Sequence, residues 1–137
     1  MKKKHLYVGV VGLCVLLVLF FSGFFYQRIS FRDVKEVRLY TYDHVTRGET
    51  GLTKEEAREV IRLYNRSRHG GEIDAEPCCT GYCVTIDLTD GSTITVQEGV
   101  RDKVILTRSG GHRHYLTNRA LIEYILELAE QYDLPTP

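Results

Sequence analysis

Val84-Thr85-Ile86-Asp87-Leu88-Thr89-Asp90-Gly91-Ser92-Thr93-Ile94-Thr95-Val96 is the stretch on which the reading of the fold turns. Apolar and polar residues alternate on both sides of Asp90-Gly91, the period-two pattern of strands with one buried face. If Asp90-Gly91 alone made the turn, Leu88 would face Thr93 and Ile86 would face Thr95. The apolar residues of the two strands would then lie on opposite faces. A three-residue loop, Thr89-Asp90-Gly91, instead pairs Leu88 with Ser92, Ile86 with Ile94 and Val84 with Val96. The buried face sets the register, so the longer loop is expected, with Gly91 in the left-handed conformation at a bulge.

Downstream, Lys103 to Thr107 reads as another strand after a turn at Gly99, and His114 to Leu116 as a short last one. Asn118 or Thr117 caps a final helix in which Leu121, Ile125, Leu128 and Tyr132 recur at helical spacing, widened by Ile122 and Ala129. Asp133-Leu134-Pro135 stops it. Upstream, Val34 to Tyr42 alternates, with Val37, Leu39 and Thr41 on one side. His44 to Gly51 reads as a loop punctuated by Gly48 and Gly51. Thr53-Lys54-Glu55-Glu56 is a capping box opening a helix with Ala57, Val60, Ile61 and Tyr64 on one stripe, and Gly70-Gly71 serves as its C-cap. The basic run Arg62, Arg66, Arg68, His69 reads as the solvated end of that helix. The order strand, helix, strands, helix predicts an α+β domain: a small antiparallel sheet with two helices packed on one face.

Ahead of this domain, Leu6 to Phe25 is twenty residues without a charge, enough at about 1.5 Å per residue to match a bilayer's hydrocarbon core. Its only small pair, Ser22-Gly23, follows Phe20 and Phe21, a poor signal-peptidase site, and Cys14 follows Leu13 where a lipid-attachment site needs a small residue. An uncleaved transmembrane anchor is expected. Lys2, Lys3 and Lys4 then stay in the cytoplasm by the positive-inside rule, although Arg28, Arg32, Lys35 and Arg38 flank the other end. The expected organisation is a basic tail at 1–5, an anchor at 6–25, a short linker at 26–33 and a globular α+β domain at 34–134. The location is the plasma membrane, single-pass, with the N-terminus cytoplasmic and the domain extracytoplasmic.

The full chain has 18 basic and 18 acidic residues, and three of the basic ones precede the apolar run, so residues 26–137 carry a net charge of −3. That balance argues against nucleic acid as a partner, and against a polybasic grip on anionic lipid. The layout of anchor, strand, T-x-E-E helix, D-G hairpin and C-terminal helix resembles small membrane-anchored or lipoprotein-like domains of unknown function from Gram-positive bacteria. The resemblance implies a source among such bacteria and transfers no site residue.

Two clusters could carry chemistry. Cys78, Cys79 and Cys83 allow a disulfide from Cys83 to Cys78 or Cys79, permitted outside the cytoplasm. The alternative is a metal or redox-responsive site in which the three cysteines hold zinc together with His112 and His114, which would share one face of a strand. No paired carboxylates, metal-binding helix or nucleophile elbow appears, so an enzyme is disfavoured and no cofactor is expected. The expected function is a non-catalytic binding or interaction module, held at the membrane through Leu6–Phe25 and engaging another membrane or envelope protein.

Overall fold

The computed structural model of the chain describes residues 2–25, 28–72, 80–98, 103–108 and 113–137. The elements run α1 (Lys2–Phe25), a 3-10 turn (Phe31–Asp33), β1 (Val34–Asp43), β2 (Val45–Gly51), α2 (Lys54–Arg66), β3 (Arg68–Glu72), β4 (Thr80–Leu88), β5 (Thr93–Glu98), β6 (Lys103–Arg108), β7 (Arg113–Thr117) and α3 (Arg119–Gln131). The strands form one sheet in the order β2-β1-β4-β5-β6-β7-β3, antiparallel throughout. Val84 pairs with Val96 and Ile86 with Ile94, and the Leu88 amide donates to Ser92 at 2.9 Å, closing the three-residue loop with Gly91 at φ 86°. The register expected from the buried face is therefore the one adopted.

That face is the core. Val37, Leu39, Val84, Ile86, Ile94 and Val96 project from the sheet onto α2 and α3, which contribute Val60, Ile61, Tyr64, Leu121, Ile125 and Leu128. Glu56 completes the capping box of α2: its carboxylate accepts from the Thr53 amide at 2.8 Å, and its own amide donates to the Thr53 hydroxyl at 3.3 Å. The same carboxylate accepts from the Tyr132 hydroxyl at 2.7 Å and the Gln131 amide at 2.9 Å, so the start of α2 and the end of α3 share one acid. At their other ends, Asn118 caps α3 through the Leu121 amide (3.1 Å) and donates to the Leu63 carbonyl in the last turn of α2 (2.7 Å). Asp133 ends α3 at φ 50°, with the Leu134 amide donating to Ala129 and the Asp133 amide to Glu130, the hydrogen-bond pattern of a Schellman cap. Beyond it the tail crosses β1, where the buried Thr41 hydroxyl donates to the Pro135 carbonyl at 2.8 Å.

Three expectations are revised. Residues 44–51 are mostly strand β2 on the sheet's edge, not a loop; with both faces largely exposed, this strand needs no apolar alternation to announce it. Gly70-Gly71 does not cap α2. The helix ends at Arg66 with Ser67 extended, and Gly70 lies in β3, where a Cβ would come within 2.9 Å of Tyr115 Cβ. The connection read as a linker at 26–33 joins the domain from Ile29 onward. Ile29 is buried, its amide donates to Asn65 Oδ1 and its carbonyl accepts from Asn65 Nδ2, both at 2.8 Å.

Helix α1 has 24 residues, and every large apolar side chain described from Leu6 to Val18 is exposed, at 45–71%. Among the described residues no helix is long and apolar enough to cross a membrane.

Candidate functional site

Helices cover one side of the sheet, so the side chains between the core positions point the other way. Register places Tyr40, Cys83 and Gln97 in one cross-strand row there, and Arg38, Thr85 and Thr95 in the next. At the edge of this face Arg38 spans three strands. One guanidinium nitrogen donates to Glu49 of β2 at 2.7 Å and the other to Asp87 of β4 at 2.9 Å, while Thr93 donates to the second Asp87 oxygen at 3.0 Å. Further in, Cys83, Thr85 and Gln97 are 2%, 7% and 8% exposed, a polar strip sunk between longer neighbours. Both the triad and the strip escape sequence reading, because Glu49 meets Arg38 only once residues 45–51 are recognised as a strand.

Cys83 is a free thiol. Burial pushes it up to about 11; the Tyr40 hydroxyl hydrogen-bonded to it works the other way, and the Glu98 carboxylate adds to the rise. A thiol so placed stays protonated at neutral pH and makes a poor nucleophile and a poor metal ligand. Tyr40 is itself raised, first by burial and then by the neighbouring Cys83, against a hydrogen bond from Thr85.

Of the residues that the metal reading would join, the structure describes Cys83 and His114, and it separates these two. Successive pairings carry Val84 through Val96 and Leu106 to His114, so His114 belongs to the helix-covered face and Cys83 to the opposite one. Three strand spacings, about 14 Å, also lie between them. Among the described residues no group of three or more His, Cys, Asp or Glu could hold a metal ion. Cys78, Cys79 and His112 lie outside the described residues.

Two clefts flank the 3-10 turn that follows α1. One, of about 410 Å³, opens between Ile29 and Asp33 on one wall and Leu88, Asp90 and Ser92 of the hairpin on the other. The second, of about 350 Å³, has Phe31, Val34, Leu52 and Ala57 in its lining, with Lys35 and Lys54 beside them.

In fold, the chain is similar to the crystal structure of a "putative lipoprotein" from Clostridium perfringens, with a TM-score of 0.50 and 20% identity over 71% of this chain and 81% of that chain. The likeness is one of fold alone. No family model matches the chain, and neither does any curated protein.

Proposed function

We propose that the chain is a membrane-anchored, non-catalytic interaction module, with Leu6–Phe25 as a single uncleaved span, Lys2–Lys4 in the cytoplasm and the α+β domain outside. The observation that carries this reading is α1: its described apolar side chains are exposed on every side, and the sequence continues the apolar run to Phe25. An exposed apolar surface of that length in water is a liability, and a bilayer removes it. The domain has its own core, closed without α1. Its helix-free sheet face offers the partner, a membrane or envelope protein, a polar surface around Arg38, whose two terminal nitrogens are paired with Glu49 and Asp87 while Nε has no hydrogen-bond partner among the described residues, with the one described thiol there held inert.

Cell fractionation with intact-mass analysis tests the reading. The mature chain keeps residues 1–25, stays with membranes through high-salt washing, and its domain is cleaved by protease added from outside the cell. A mature form beginning near Gly23 or Phe24 makes it a secreted domain instead, and protection from external protease reverses the orientation.

A further inference from the structure

We infer that Leu134–Pro135, just past α3, is a releasable strap that holds edge strand β2 in the sheet, and that its release frees Glu49 from Arg38 on the opposite face. The inference stands on the fold and does not depend on the anchor reading.

Strand β2 has little of its own to hold it. It is outermost, next to β1 alone, and contributes no residue to the buried core. Val45, its one large apolar side chain, is 59% exposed. Two of its seven residues are glycine, which lose the most backbone freedom on pairing. Its ladder with β1 is also interrupted: Gly48 pairs with Thr41 but Thr46 pairs with Tyr42, so Arg47 is an extra residue at a bulge. Such a strand belongs to the low end of local stability.

The strap bears on that weak point. Leu134 packs against the core, and Pro135 arrives over the Thr41–Gly48 pair, the last before the register shift. Thr41 is wholly buried, and its hydroxyl donates to the Pro135 carbonyl at 2.8 Å, a bond whose loss leaves a buried polar group to be satisfied. Gly48 is not among the glycines at positive φ, so its backbone does not call for glycine. What it supplies is room: a Cβ there would stand 2.8 Å from Pro135 Cδ and 3.4 Å from Leu134 Cδ2, the first closer than side chains tolerate. Strap and strand pair are thus fitted to each other, one residue by a hydroxyl and the other by an absent side chain. Pro135 is itself exposed and has no amide to donate, so it is held lightly enough to come away. One residue along β2, Glu49 pairs with Tyr40 in register on the helix-free face and accepts from Arg38 at 2.7 Å. The other acid of Arg38, Asp87, belongs to β4 and stays when β2 moves. An event at Pro135 is therefore passed through the sheet by the position of one strand.

The test is native-state hydrogen exchange of the detergent-solubilised full chain, read by NMR. Thr41→Val keeps the shape and removes the donor, and Pro135→Gly keeps the carbonyl and removes the ring. Each should speed exchange of the β2 amides by about tenfold or more while those of β4 and β5 stay unchanged, with the guanidinium protons of Arg38 quickening alongside β2. Gly48→Ala should act in the same way in the unaltered chain, and should add nothing in the Pro135→Gly chain, where the ring it meets is gone. Unchanged β2 exchange overturns the strap. So does an equal rise across β2, β4 and β5, which would make these residues ordinary packing of the whole domain. Gly48→Ala doing equal harm with and without the ring overturns the fit of Gly48 to Pro135. Faster β2 exchange with Arg38 unchanged overturns the link across the sheet.

Discussion

Gly91 and Asp133 both occupy the left-handed region, at φ 86° and 50°, yet only one of them is glycine. No atom lies within 4 Å of where a Cβ on Gly91 would stand, so alanine there meets strain and no clash. Gly91→Ala should cost about 1 kcal/mol in chemical denaturation of the detergent-solubilised chain, and a negligible effect would mean that the loop relaxes. Asp133→Gly should move the other way, stabilising by up to about 1 kcal/mol, because the Schellman cap is kept and the side-chain penalty is removed. Glu56 shows a third kind of dependence. Burial works to raise its carboxyl, but hydrogen bonds from Tyr132, Thr53 and Gln131 outweigh it and hold the group below the usual carboxylate range. A folded value below the unfolded one stabilises the protein above the unfolded value, and that contribution disappears as pH falls through the folded value. The chain should therefore lose stability on acidification below about pH 4.3 more steeply than Glu56→Gln does, with Tyr132→Phe between them. Parallel acid titrations of all three would remove this role from Glu56.

At the scale of elements, what could be read beforehand was whatever one buried face dictates. The hairpin register followed from Ile86 and Ile94, the α2 start from Thr53 and Glu56, and the α3 cap from Asn118. Strands β2 and β3 were missed for the complementary reason. Each is an outer strand, rich in glycine or in exposed polar residues, and its pairing is decided by the neighbour's free backbone groups more than by its own side chains. The same gap hid the Arg38 triad, since one of its acids stands on β2. Of the cysteine and histidine clusters only Cys83 and His114 lie among the described residues. Joining them in one site rests on the expectation that their loops meet, and alternation in the sheet sends these two to opposite faces. Period two is as informative about which residues cannot meet as about which are buried.

Over the whole molecule, the burial of Cys83 makes its reactivity a reporter of global opening. Thiol-reagent labelling of Cys83 should be negligible under native conditions and should rise with denaturant in step with unfolding; prompt native labelling would mean that the sheet face opens locally. Unfolded chain should show three reactive thiols outside α1, whereas a bridge from Cys83 to Cys78 or Cys79 leaves one. The way α1 joins the domain has a mechanical side. Asn65 grips both backbone groups of Ile29, and five residues later the chain becomes β1, which is bonded along both edges to β2 and β4. A pull on α1 therefore runs along β1, across ladder bonds that lie perpendicular to it. They are loaded together in shear instead of being unzipped one by one. A domain tugged by a partner while its other end is fixed would resist best along this line, with the Ile29–Asn65 clasp as the first bond to yield.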